Sequence, residues 1–157
     1  MTTTGGWSDA DVSYMRSALE LAAQAQSRGE VPVGAVVVAE QRAVACGHNR
    51  TLLDNDPTAH AEIVALRAAA VELGNHRLND ATLYVTLEPC IMCVGAMLHA
   101  RIARVVFGAY DEKAGAAGSV IDLCNDRQLN HRLEVNGGLL REEGAALLSA
   151  FFESKRS

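Results

Sequence analysis

His60 and Glu62 stand two residues apart in Thr58-Ala59-His60-Ala61-Glu62, and Cys90 and Cys93 stand three apart in Glu88-Pro89-Cys90-Ile91-Met92-Cys93. One imidazole and two thiolates are donors that zinc prefers; they fill three of its four tetrahedral positions and leave the last for water. An open position implies catalysis, because zinc makes water nucleophilic near neutral pH. Glu62 then has the chemistry of a general acid and base. On an ideal helix it lies about 200° around from His60, so its carboxylate reaches the metal's water only if the first turn departs from ideal geometry. Cys90 and Cys93 are one helical turn apart on the same face. If His60 and Cys90 each begin a helix, two positive helix ends converge on the donors and favour thiolate over thiol. Pro89 suits a first helical turn and forces Glu88 to be extended, so a strand stops where the donors start.

Other readings of these residues stay open at this point. A Cys-x-x-Cys pair also serves redox chemistry, and the zinc would be structural if Cys46, Cys124 or His48 supplied a fourth ligand. Otherwise Cys46 and Cys124 read as ordinary buried thiols, and His76 and His99 as surface or core histidines.

The elements that must carry this constellation can be read from the surrounding pattern. Ser8, followed by Asp9 and Asp11, predicts the start of a helix. Met15, Ala18, Leu19, Ala22 and Ala23 continue it at three- and four-residue spacing to about Arg28, and Gly29 ends it. The apolar, β-branched run 33–39, a polar turn at 40–42 and a second strand through Cys46 and Gly47 predict a hairpin. Residues 51–57 read as loop, and the alanine-rich stretch 60–73, closed by Gly74, as a buried helix. Strand 82–86, helix 91–100 and strand 104–108 follow as a βαβ unit. Residues 110–118 read as loop and 139–152 as a closing amphipathic helix with Leu140, Leu147, Leu148 and Phe151 on one side. The sum is an α/β domain of three layers, α/β/α, with a hairpin joined to parallel strands.

A chain of 157 residues, 49% hydrophobic, fits one domain spanning 1–157 with a core that needs no disulfides, and residues 1–7 read as a flexible tail. The beginning MTTTGGWSDADV has neither the basic nor the apolar region of a signal peptide, and no apolar run reaches about 18 residues, so the expectation is a cytoplasmic protein with no membrane partner. A net charge of −5 argues against a broad basic face for nucleic acid. It leaves room for local patches, and Arg101, Arg104, Lys113, Arg127, Arg132, Arg141, Lys155 and Arg156 all lie in the second half.

Each half of the metal motif is weak alone, but His-x-Glu followed by Pro-Cys-x-x-Cys is the recognised signature of zinc deaminases. Beyond it, the chain resembles the bacterial tRNA adenosine deaminases of the cytidine deaminase superfamily from about Met15 to Phe152. The likeness is carried by Glu30-Val31-Pro32-Val33-Gly34-Ala35, His48-Asn49, Leu83-Tyr84-Val85-Thr86-Leu87-Glu88-Pro89-Cys90, Arg104-Val105-Val106-Phe107-Gly108-Ala109, Gly115-Ala116-Ala117-Gly118-Ser119 and Asn130-His131-Arg132. Tyr110 departs from the charged residue the family often places there.

The resemblance implies a cytidine deaminase-like fold with a mixed, mostly five-stranded sheet. It implies His60, Cys90 and Cys93 as ligands of one zinc per subunit, Glu62 as proton shuttle, and Asn49, Asp111 and Asn130 as substrate contacts. The implied reaction is hydrolytic conversion of adenosine to inosine at the wobble position of a tRNA anticodon, by a homodimer. Composition shows no dimer, and Asn and Asp are also common turn residues. Two alternatives are a deaminase of a free base or nucleoside, of guanine or cytosine type, and a noncatalytic zinc module that binds RNA or protein.

Overall fold

A computed structural model describes residues 6–156. Its elements are α1 (Asp9–Ser27), β1 (Gly34–Ala39), β2 (Arg42–His48), α2 (Ala61–Leu73), β3 (Thr82–Leu87), α3 (Ile91–Ala100), β4 (Arg104–Ala109), β5 (Glu134–Gly137) and α4 (Arg141–Arg156). The strands form one sheet in the order β2-β1-β3-β4-β5. β1 is antiparallel to both β2 and β3, whereas β3–β4 and β4–β5 are parallel. The hairpin joins Ala39 to Arg42 through Glu40 and Gln41, both at positive φ, as a tight two-residue connection matched to strand twist requires.

The apolar runs of β1, β3 and β4 have few polar interruptions because both faces of the sheet are covered. Successive side chains point to opposite faces. Ala35, Val37, Leu83, Val85, Val105 and Phe107 enter the larger core, together with Ala65, Leu66, Cys93, Val94 and Met97 from α2 and α3. Val36, Val38, Tyr84 and Val106 enter a second core with Met15 and Ala18 of α1 and Leu139. Helices α1 and α4 pack against each other on that side. The expected three layers and mixed sheet are present.

Differences from the sequence reading are local. β5 was not among the strands read from the pattern; it is four residues long, mostly polar, and lies at the sheet edge. The last helix starts at Arg141 and not at Leu139, because Leu139 is buried in the second core and Leu140 takes a positive φ. Of the tail expected over 1–7, residues 1–5 lie outside the described residues, and Trp7 is half-buried against the second core, where its apolar ring finds cover. Cys46 is exposed on the edge strand β2, not buried, whereas Cys124 is buried and burial pushes its thiol up to about 12.

α1 is fixed to the sheet by close approach and by charge. Gly34 lies against the backbone of Ala18, so any side chain there would collide with the helix. Ser8 caps α1 by accepting from the Asp11 amide at 3.0 Å. The Asp11 carboxylate accepts from Tyr84 Oη at 2.6 Å and from two Arg104 nitrogens at 3.0 and 3.2 Å. Burial pushes the Asp11 carboxyl up, but the bonds from Arg104 and Tyr84 together outweigh it and hold it below the ordinary value. Arg104 also donates to Asn136 on β5, so it serves the fold and is not free for a nucleic acid. Replacement Asp11→Asn is expected to destabilise the protein by about 1–3 kcal/mol at neutral pH by leaving Arg104 with only the exposed Glu134, 3.4 Å from its Nε, as counter-charge. A depressed carboxyl adds stability above its unfolded pKa that is lost as pH falls through the folded value. The difference from wild type in urea unfolding should therefore be full at pH 7 and shrink below about pH 4.

Candidate active site

The polypeptide brings its three N/S donors together at the starts of two helices. His60 precedes α2 and Cys90 precedes α3; both are extended cap residues, with φ −70° and −81°. Pro89 therefore stands one position before the cap, not in the first turn, because Cys90 must stay extended for its sulfur to turn towards His60. Cys93 lies in the first turn of α3 and is fully buried. His60 Nδ1 is 3.6 Å from Cys90 Sγ and 3.5 Å from Cys93 Sγ. A tetrahedral zinc with ordinary Zn–N and Zn–S bonds would set these separations at about 3.5 Å. The residues present fit zinc. Among the described residues no fourth His, Cys, Asp or Glu joins the cluster.

Electrostatics at the cluster follow from crowding. The Cys93 thiol, together with the His60 ring and the Cys93 amide, outweighs burial and holds the Cys90 thiol down at about 3. Its partner moves the other way: proximity to Cys90, then burial and the Glu62 charge, push the Cys93 thiol far up. Cys90 also raises the His60 imidazole. Glu62 is 4% exposed, and burial raises its carboxyl to about 7. A carboxyl poised there exchanges protons readily at neutral pH.

His60, Glu62 and Cys90 line a cleft of about 260 Å³ whose walls also include Asn49, Asp111, Val31 and Val33. Asn49 is buried and donates to Glu30 at 3.5 Å. Asp111 folds back on its own loop, accepting from the amides of Lys113 and Ala114 at 3.0 Å each. Asn130 is not in this cleft. It is exposed and lines a neighbouring depression with Ile91, Arg77, Arg101 and His131, reached past Ile91, the residue after Cys90. Tyr110 also stays out of the cleft wall: it packs edge-on against Phe107 and beneath Arg141. His76 and His99 are exposed, and His48 is buried with Nδ1 2.9 Å from the Asn49 carbonyl.

Two acids at the cleft, to which the sequence pattern assigns no role, are Glu30 beside it and Glu88 in its wall. Glu30 is fully buried and accepts from Asn49, Thr51 and the amides of Leu52 and Leu53. Glu88 is 2% exposed and accepts from residues 111–119 on the other side. Each sits at the edge of an apolar strand segment, a place where a solvated charge is out of keeping, and that was the signal available.

Residues 8–109 match the cytidine and deoxycytidylate deaminase zinc-binding region. The tRNA-specific adenosine deaminase of Haemophilus influenzae is 53% identical over 150 residues, covering 95% of this chain and 87% of that protein. The tRNA-specific adenosine deaminase of Bacillus subtilis is 44% identical, covering 93% of this chain and 91% of its own. A solved structure from work on A-to-I editing by tRNA:A34 deaminases at the wobble position of transfer RNA superposes with a TM-score of 0.84 at 46% identity, over 87% of this chain and 99% of that one. The chain belongs to the zinc-binding deaminase family, in the branch of the tRNA-specific adenosine deaminases. Its cofactor is zinc, one per chain.

Proposed function

We propose that the protein hydrolyses adenosine to inosine at the wobble position of a tRNA anticodon. The observation that carries this reading is the buried Glu62 carboxyl in the same small cleft as a three-donor zinc site, in a chain 53% identical to a tRNA-specific adenosine deaminase. His60, Cys90 and Cys93 hold the zinc. When bound, it supplies the Lewis acidity that makes water a nucleophile near neutral pH. Glu62 takes the proton of the water that adds at C6 and delivers it to the ring nitrogen N1. The second proton transfer goes to the exocyclic nitrogen, the C6–N bond breaks, and ammonia leaves as inosine forms. Asn49 and Asp111, both in the cleft wall, hold the flipped nucleoside. Flipping from an anticodon loop costs little, because the base is already single-stranded, so a shaped cleft suffices for an acidic protein. Inosine should appear at the wobble position when purified protein is incubated with total tRNA, and its absence there would remove this reading.

Asn130, placed in the adjoining depression, contacts a neighbouring nucleotide and not the adenine. Replacement by alanine is expected to raise KM for an anticodon stem-loop by about 3- to 10-fold with kcat unchanged, as loss of uniform binding does. A fall in kcat at constant KM would contradict that role.

The protein acts as a homodimer in the cytoplasm, where its RNA substrate is. A groove along α2 and α3, lined by Ala70, Ala96 and Ala100 over the buried Ile63 and Leu66 and bordered by Arg67, His76 and His99, offers a mixed surface to a second copy, and sedimentation equilibrium would read the mass. Among the described residues no helix is long and apolar enough to cross a membrane. The whole of 1–157 acts as one domain.

A further inference from the structure

The segment Gly115-Ala116-Ala117-Gly118-Ser119 is far in sequence from all three zinc donors, yet it is wrapped around one buried carboxylate. Glu88 Oε1 accepts from the Asp111 amide at 3.0 Å and from Ser119 Oγ; Oε2 accepts from the amides of Ala117 and Ser119 at 3.1 and 3.0 Å. All four partners are donors, which suits an acceptor-only carboxylate. No Lys or Arg forms an ion pair with it among the described residues. Gly115 lies so close to this carboxyl that a side chain there would displace it. The next residue, Pro89, accepts from the Ala116 amide at 2.8 Å, and the one after that is Cys90. One short stretch of backbone thus supplies a zinc donor, while its preceding side chain gathers the loop that carries Asp111.

We propose that Glu88 is a positioning residue: its carboxylate sets the loop 111–119 against the turn bearing Cys90, and it acts on substrate binding through Asp111. This rests on the reading of Asp111 as a substrate contact. A carboxylate is needed because each oxygen receives two donors. In Glu88→Gln the amide nitrogen replaces one acceptor oxygen: set against the Ala117 and Ser119 amides it opposes two donors, and set against Asp111 it opposes one while Ser119 Oγ turns to accept, so the loop loses at least one backbone anchor while the side chain keeps its size.

The test is steady-state kinetics on an anticodon stem-loop RNA carrying the target adenosine, with zinc content measured on the same preparations. Glu88→Gln is expected to keep one zinc per chain, to raise KM by about tenfold or more, and to leave kcat within about threefold. In an Asp111→Ala background, adding Glu88→Gln should change KM by less than about twofold, because the route is already cut. Ser119→Ala, at an exposed position that removes one anchor only, gives a smaller KM rise coupled to Asp111 in the same way and carries the test if Glu88→Gln does not fold. Zinc loss, or a fall in kcat at constant KM, would overturn the proposal, as would KM effects of the Glu88 and Asp111 changes that simply multiply. If Asp111→Ala is silent, the reading of Asp111 fails by itself. If Asp111→Ala is damaging and Glu88→Gln and Ser119→Ala are silent, only the role of Glu88 fails.

Discussion

Glu62→Gln is expected to bind one zinc per chain and to lose about 10²- to 10⁴-fold in kcat, with KM little changed. The carboxamide fills the same buried space but carries no proton between water, N1 and the departing ammonia. Burial, which raises the Glu62 carboxyl to about 7, gives the second half of the expectation. In the metal-free protein the folded state favours the protonated acid, so the folded state binds more protons than the unfolded chain between the ordinary carboxyl value and 7. Stability contributed by that proton is complete below about pH 4.5 and declines as pH rises towards 7. Glu62→Gln lacks this decline. Thermal unfolding of both metal-free proteins across that window reads the difference, and parallel curves together with an active Glu62→Gln enzyme would sink the assignment.

Cys93→Ser is expected to abolish zinc retention and activity together, since a buried hydroxyl does not replace thiolate as a zinc donor. Wild-type zinc binding should itself depend on pH. The Cys93 thiol of the metal-free site holds its proton far above the usual range, next to a Cys90 that has already lost its own. Loading must therefore expel the Cys93 proton, so apparent affinity rises with pH by about tenfold per unit through the neutral range for each proton released. Competition with a chromophoric chelator between about pH 6 and 8 measures that slope. A flat profile, or full zinc content in Cys93→Ser, would contradict the ligand set.

What could be read in the sequence is what depends on neighbours along the chain. The one-turn spacing of Cys90 and Cys93, the stops at Gly29 and Gly74, and the apolar run after Pro32 each state a local geometry, and the structure has α1, β1, α2 and α3 within a residue or so of those positions. The larger core between the sheet and α2 and α3 follows from the same periodicity. What depends on distant partners was not legible. β5 exists because Glu134–Gly137 pairs with Arg104–Phe107, and nothing in Glu-Val-Asn-Gly announces a strand. Asp11 looks like a solvated first-turn acid until Tyr84 and Arg104 are brought to it across the sheet. Glu30 and Glu88 look like surface charges until loops fold over them. The exposure of Cys46 follows from β2 being the edge, a fact of strand order and not of composition. Asn130 shows the same limit, since its motif gave no sign that it would stand in a second depression beside the cleft.

The extended cap position of His60 has a cost that the chemistry conceals. Helix α2 begins without a side-chain hydrogen bond from its cap, where a serine or aspartate would add about 1 kcal/mol. Folding and catalysis thus ask for different residues at the same place. A chain drifting under selection for stability alone would gain by replacing the histidine, keep its sheet and its core, and become a well-folded domain with no reaction to perform. Retention of histidine at that position is a mark of a working enzyme that fold similarity alone does not provide.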